Sequence, residues 1–496
     1  MSGVPVPGGW ADLSGEVFYQ VMPVAYRAGR GSADNPHGLG DFRGLTDAVP
    51  YLAGLGVTGV WLTPIFPSPA YHGYQHGFAD RVNPRLGSEA DFDAFVSSAH
   101  GAGLKVILDL VVYGVSGSSG FVERARLGPK GGRWSRWLAV TDPARGEFAG
   151  YRYTTWNGGE AELVHWDLRR AGPRALIDAW TGLWASRGVD GFRLDHVWAR
   201  FPHGPASADG WGYHLEPFWA DWRRVLRASA PRVISIAEPA RWESHGEDLL
   251  PAHDAVLAKP LQFAGRSGLA SGMAWRLHAG VMRALRRVPA GRSIGSSFVA
   301  SLGDHDVDRL AGVVGDARAL RAAWAWLMFQ PFPPMIYAGD EVGMVGEGVN
   351  VGGDANDLPR REPFKWKARA GPPMAGFDAL TAAERRVPRR SCDGDGRSVE
   401  EQEGVAGSPL ETLRGLIALR RSDAALRRGA YAPAPTGHPG VWACERWTAD
   451  RRVLSAVNLT EQPTTVRVKP RRGMSDDAVV VELGSYGHAL IERPAG

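Results

Sequence analysis

The chain has 496 residues, enough for two to four domains at ~150 residues each. Its 44% hydrophobic and 22% charged residues, with a net charge of +4, exclude a disordered chain, and 64 glycines and 35 prolines form no collagen-like period. The pI of 9.1 comes from arginines interspersed with acids in short pairs such as Arg420-Arg421 and Arg471-Arg472, which excludes a basic stripe for nucleic acid.

In chain order, the opening MSGVPVPGGWADLSG has neither a basic n-region nor an apolar h-region. No apolar run approaches the ~20 residues that cross a bilayer. A soluble, cytoplasmic protein without a membrane partner is expected, unless a leader has been removed; the sequence sets no oligomeric state. Short apolar runs then follow at Val17 to Val21, Gly59 to Leu62, Val106 to Val112, Gly191 to Leu194, Val233 to Ala237, Ala255 to Leu257, Phe298 to Leu302 and Met335 to Tyr337. Between them lie helical repeats, such as Phe92, Phe95, Val96 and Ala99, or Leu176, Trp180, Leu183 and Trp184.

Alternation of apolar strands with helices predicts a parallel sheet covered on both faces, and eight units suit a (β/α)8 barrel or a doubly wound sheet. Two stretches interrupt the alternation. Residues 114–165 are Gly-rich and too long for a βα connection, so they read as an inserted subdomain. Residues 342–409 form a second long loop, followed by a helix from Leu410 to Leu426. Beyond Gly429 the runs Val441 to Trp447, Val453 to Asn458, Thr465 to Val468 and Val479 to Leu483 predict a small all-β domain. Cys392 and Cys444 can form one disulfide at most. Asn458-Leu459-Thr460 is formally a glycosylation sequon at a strand end.

Charge collects where the strands end. Asp109 lies in the third run, Arg193 and Asp195 at the fourth, and Glu238 after the fifth; His305 and Asp306 follow the seventh, and Asp340 and Glu341 the eighth. One such acid could simply cap the next helix. Charges at five strand ends predict one rim pocket, where barrels place their chemistry.

The motifs at these ends resemble the α-amylase superfamily, glycoside hydrolase family 13. GFRLDH (191–196), ISIAEP (234–239) and DHDVDR (304–309) are similar to its three catalytic motifs. VFYQVMP (17–23), GVWLTPIFPSP (59–69), YHGY (71–74) and ILDLVV (107–112) resemble its upstream motifs in order and spacing, and RREPFKW (360–366) and RSVEEQ (397–402) resemble segments of its amylase and oligo-glucosidase branches. The resemblance implies a (β/α)8 barrel over 1–113 and 166–430, an inserted subdomain over 114–165 and a C-terminal β-sandwich over 431–496. It also implies retaining hydrolysis of α-glucosidic bonds in α-glucans, oligosaccharides or small α-glucosides. Asp195 would be the nucleophile, Glu238 the general acid/base and Asp306 the third acid.

Arg193, two residues before Asp195, shares its strand face and should keep that carboxylate ionised. Glu238 should hold a proton under the influence of nearby carboxylates. The resemblance further implies substrate contacts from Tyr74, Asp109, Arg193, Gln75, His196, His305 and Arg361, with Tyr74 stacked beneath the sugar. Four departures bear on the substrate. Tyr113 and Gly114 stand where the family has Asn-His, Gln75 where exo-acting members place the acid that pairs with an arginine matching Arg361, and Asp304 where Asn is usual. The calcium loop keeps Asp34, Asn35 and Asp41 but has His37 in an acidic place, so no cofactor is expected to be required. His72 and His76 read as loop histidines, since their spacing suits a metal only on a helix.

Transfer to a sugar acceptor is the nearest alternative, and a non-catalytic glucan-binding protein on this fold the more distant one. Of the 19 tryptophans, Trp61, Trp180 and Trp184 are expected in cores, and Trp134, Trp137, Trp156 and Trp366 in rim loops suited to sugar stacking.

Overall fold

The computed structural model describes residues 9–31, 34–36, 38–142, 147–155, 158–200, 214–376, 387, 389–469 and 478–493. Eight parallel strands close a barrel: β1 (Phe18–Val21), β2 (Gly59–Leu62), β3 (Lys105–Val111), β9 (Gly191–Val197), β10 (Ile234–Pro239), β11 (Ala255–Leu257), β12 (Phe298–Ser301) and β13 (Pro334–Tyr337). Sequence order and barrel order agree, and β13 closes onto β1. The doubly wound alternative is therefore excluded.

Side-chain alternation explains how this barrel makes a site. Inward positions near the strand starts are apolar: Phe18, Trp61, Ile107, Ile234, Ile236, Val299 and Met335 fill the interior as one cluster. Gly191 has no side chain because a Cβ there would come within 2.4 Å of Ile234 and 2.7 Å of Ile107. Two residues further along the same faces, the side chains become polar: Gln20 follows Phe18, Asp109 follows Ile107, and Glu238 follows Ile236. On β9 the inward set is Gly191, Arg193 and Asp195. The apolar layer is thus the floor of a polar rim.

Between β3 and the helix Ala171–Ser186, the insertion folds as β4 (Gly114–Ser116), β5 (Val140–Asp142), β6 (Glu147–Phe148), β7 (Gly150–Thr154) and β8 (Glu160–His165). A β4-β8-β7 sheet and a β5-β6 hairpin result. At the C-terminus, β14 (Ala430–Pro433), β15 (Val441–Trp447), β16 (Arg452–Asn458) and β19 (His488–Arg493) form one sheet, and β17 (Thr464–Val468) and β18 (Val479–Leu483) another. Val441, Ala443, Leu454 and Ala456 meet Val466, Val468, Val481 and Leu483 across the sandwich. Two fully buried arginines meet at the junction of barrel and sandwich, Arg420 from the helix Pro409–Ser422 and Arg446 from β15. Arg420 donates to the carbonyls of Met328, Gln330 and Phe332, and Arg446 to those of Phe329 and Gln330, which answers the open end of the helix Ala319–Phe329.

Several local expectations change. The predicted helix to Leu426 breaks at Asp423, whose Oδ1 accepts from Ala425 and Leu426 N–H and starts a separate turn. Cys392 and Cys444 are both free thiols. Asn458 is buried, its amide donating to the carbonyls of Gln462 and Gly484, so the sequon is sterically closed. Trp61, Trp180 and Trp184 are core as expected, but so is Trp366, whose Nε1 donates to the Tyr26 carbonyl. Trp134 and Trp137 meet Phe121 within the insertion, and Trp156 lies outside the described residues. No described helix is long and apolar enough to cross a membrane.

Asp340 and Glu341 leave the rim for structural work. Asp340 pairs with Arg309 at 3.2 Å, and Glu341 is buried beneath the hydroxyls of Tyr19 and Tyr51. Burial pushes Glu341 from 4.5 up to about 7, although hydrogen bonds from Tyr19, Tyr51 and Gly339 pull the other way. Between those values the folded chain keeps a proton that the unfolded chain releases, so stability falls as pH rises through the window. Glu341→Gln is expected to flatten that fall, measured as the urea midpoint from about pH 5 to about pH 8.

Candidate active site

The rim gathers charge around one guanidinium. Arg193, fully buried on β9, donates from Nη1 to both Asp109 oxygens at 2.7 and 2.8 Å and to Asp195 Oδ1 at 2.7 Å. Its Nη2 donates to Glu238 Oε2. Asp109 also accepts from Tyr74 Oη at 2.8 Å and from Trp61 Nε1 at 3.1 Å. His196, next to Asp195, takes a left-handed φ of 49°, and its N–H reaches Glu238 Oε2 at 3.3 Å.

A second cation stands on the other side of Glu238. Lys259, buried just beyond β11, has Nζ 3.7 Å from Glu238 Oε1 and 2.7 Å from Asp304 Oδ2. Gln262 donates to the same Asp304 oxygen at 2.8 Å, while Asp304 Oδ1 accepts the Asp306 N–H at 2.9 Å. The Lys259 ammonium also lies 4.3 Å from the Trp242 ring centroid. Sequence reasoning missed Lys259, although it is a charge at a strand end like the others.

Burial and these cations pull the acids in opposite directions. Burial raises Asp195, Arg193 opposes that rise, and the Glu238 and Asp109 carboxylates reinforce it, leaving Asp195 well above the usual range. Burial would also raise Glu238, but Arg193 and Lys259 hold it below its ordinary value. Burial lifts Asp109 to about 6 against Arg193 and Tyr74. In the unliganded site burial thus favours the neutral form of the aspartates, while two cations favour the charged form of Glu238. Arg193 was expected to keep Asp195 ionised; its guanidinium is shared among three acids, and burial outweighs it at Asp195.

Beyond the acids, His305 stacks on Tyr74 with centroids 5.1 Å apart and planes 7° apart. Gln20 Nε2 donates to its Nδ1 at 2.7 Å, which leaves Nε2–H to face Asp306 Oδ2 at 3.3 Å. Burial lowers His305 to about 4, so the ring is neutral at working pH. Arg361 donates to Asp306 at 2.9 Å, to the His305 carbonyl at 2.8 Å and to Tyr71 Oη at 2.9 Å, and pairs with Asp357 at 3.1 Å.

An open cleft of ≈ 540 Å³ exposes Asp195, Glu238, Asp306, Tyr74, His196, His305 and Arg361 together. It is also lined by His72, Tyr113, Tyr151, Tyr153 and Trp242, and by Asp354, Asn356 and Asp357 of the turn Gly353–Arg361. Three residues expected at the substrate do not line it. Asp109 and Arg193 lie buried beneath the acids, and Gln75 is buried behind the wall. Gly114 has no room for the family's histidine, since a Cβ there would be 2.8 Å from the Val164 carbonyl of β8. Tyr113 instead turns its hydroxyl to Tyr151 at 2.6 Å. His72 and His76 share no metal site: His72 faces Asp354, and His76 contacts the rings of Phe66 and Trp180.

The calcium-loop residues enclose a side-chain cation. Asp41 Oδ2 accepts from Arg30 Nε at 3.3 Å, Arg30 N at 3.0 Å and Asn35 Nδ2 at 3.2 Å. Its Oδ1 accepts from Gly29 and Gly44 N–H, so neither oxygen is left for a metal, and Arg30 Nη1 donates to the Asp34 carbonyl. Asp34, Asn35 and Asp41 do not fit a calcium ion.

The sequence profile described as alpha amylase, catalytic domain, matches residues 20–429. The chain belongs to the α-amylase family. Within it, the chain is 25% identical to alpha-amylase 3 of Dictyoglomus thermophilum, over 96% of this chain and 93% of that protein. It is likewise 25% identical to a trehalose synthase of Pimelobacter sp., over 94% and 90%. Among solved structures, the crystal structure of α-amylase from H. orenii superposes with a TM-score of 0.79 at 23% identity, covering 97% of this chain and 99% of that one. An α-amylase-family barrel thus presents the three carboxylates Asp195, Glu238 and Asp306 on one cleft.

Proposed function

We propose that the protein is a retaining glycosidase that cleaves α-glucosidic bonds through a glycosyl–Asp195 intermediate. The carrying observation is the shared guanidinium: two nitrogens of Arg193 hold Asp195 and Glu238. One guanidinium can bridge two carboxylates only when they stand near each other, as the pair of a retaining enzyme does (~5–5.5 Å).

The productive form needs Glu238 protonated and Asp195 ionised. A leaving-group oxygen entering beside Glu238 displaces Arg193 Nη2, and the guanidinium then favours ionised Asp195. An Asp195 oxygen bonds to the anomeric carbon as the C1–O bond breaks, and the Glu238 proton goes to the departing oxygen. Water then attacks C1, returns a proton to Glu238 and releases Asp195. Asp306 and the neutral His305 hold ring hydroxyls while positive charge develops on the sugar.

NMR of the first product from maltose or a nitrophenyl α-glucoside tests this reading: the α-anomer is expected, and an initial β-anomer overturns it. Transfer to a sugar acceptor uses the same intermediate, and the likeness to a protein named trehalose synthase favours including it. The same spectra separate free sugar from transfer product.

Lys259 should set the pH limit. Removing its charge from Glu238 lets that carboxyl hold its proton to higher pH. Lys259→Met is expected to move the basic limb of kcat/KM up by about one pH unit or more, with Lys259→Arg restoring it. An unmoved limb would show that the ammonium does not act on the acid.

A further inference from the structure

The two oxygens of Glu238 stand in different surroundings. Oε2 accepts from Arg193 Nη2 and from the His196 N–H. Oε1 accepts no hydrogen bond among the described residues, and Lys259 Nζ stands off it at 3.7 Å. In the resting site Oε1 is therefore the oxygen with room for a proton.

Lys259 is drawn the other way. Its Nζ lies 2.7 Å from Asp304 Oδ2, an oxygen that Gln262 Nε2 also reaches at 2.8 Å. Asp304 Oδ1 accepts the Asp306 N–H at 2.9 Å, which fixes how the carboxylate is turned. Lys259 also opens the helix Lys259–Ser271, and a helix start disfavours a cation, so the ammonium needs an acid. Lys259, Asp304 and Glu238 are all buried, where water and salt do little to screen charge. Two acids thus compete for one ammonium, and the distances show that Asp304 holds it.

We propose that Asp304 is a positioning residue: it keeps the Lys259 ammonium off Glu238 Oε1, so that this oxygen can carry the proton destined for the leaving group. The inference rests on Glu238 being the acid of the proposed reaction. With an uncharged side chain at 304, Glu238 becomes the better partner, and a hydrogen bond from Nζ to Oε1 takes the place of the proton. The other charges remain as they were. Lys259 also faces Asp306, and Glu238 faces Arg193, Asp306 and His196, with Asp109 and Asp195 sharing the guanidinium.

Asp304→Asn in the whole chain tests this with two readouts. The basic limb of kcat/KM is one, and an NMR titration of the Glu238 carboxyl carbon, assigned by its loss in Glu238→Gln, is the other. Both are expected to move down by about one pH unit, and Asp304→Glu, which keeps the charge, should move them less. In a Lys259→Met background Asp304→Asn should move neither, because the effect runs through the ammonium; Lys259→Gln serves if that variant does not fold. Urea unfolding checks each variant. No downward shift of the Glu238 titration in Asp304→Asn, or an equal shift without Lys259, overturns the inference. The expected titration in a protein inert on every α-glucoside would sink the hydrolase reading alone.

Discussion

Asp195→Asn is expected to lower turnover of α-glucosides by about 10⁴-fold or more while leaving the fold intact. Without a carboxylate oxygen to bond the anomeric carbon, only binding and charge stabilisation remain. Stability should survive because the site is over-supplied with acids: Asp109, Asp195 and Glu238 share one guanidinium. A neutral amide at 195 relieves that repulsion, and its oxygen can still accept from Arg193. Glu238→Gln should differ in kind. Its loss should be severe for alkyl leaving groups and milder for nitrophenolate, which departs without a full proton. Kinetics on both substrate types, with urea unfolding as the folding control, check the pair.

Arg193→Met is the second large effect and falls on the fold as well as on activity. It leaves three buried carboxylates without their common cation, a loss of about 3–5 kcal/mol. Protonation can relieve the repulsion, so the cost should grow with pH. Without the guanidinium the folded site holds protons that the unfolded chain releases, and stability falls as pH rises. Urea midpoints at about pH 5 and about pH 8 should therefore diverge from wild type mainly at the higher value. An equal loss at both would mean that the side chain acts by filling space.

How far the sequence reaches depends on the kind of interaction. The barrel strands were legible because both faces of each are covered, which leaves nearly unbroken apolar runs such as Val106 to Leu108. The acids were legible because each sits where an inward face turns from apolar to polar. That rule also drew in Asp340 and Glu341, which end a strand yet serve Arg309, Tyr19 and Tyr51. Lys259 opens the helix Lys259–Ser271 and reads as an ordinary first-turn lysine, so its position beside Glu238 emerges only when β11 lies next to β10. The pull of Lys259 on Glu238 is hidden in the sequence for the same reason. Asp354 lies in a long loop without periodicity, and the wall it forms depends on β7 arriving from the insertion.

In the proposed reaction Asp195 carries the sugar between the two chemical steps. Treating the enzyme with 5-fluoro-α-glucosyl fluoride, then measuring intact mass and mapping peptides, tests this most directly. One added glycosyl group is expected, located on Asp195 and absent from Asp195→Asn. A label on another residue, or steady turnover to β-configured product with no label, would contradict it.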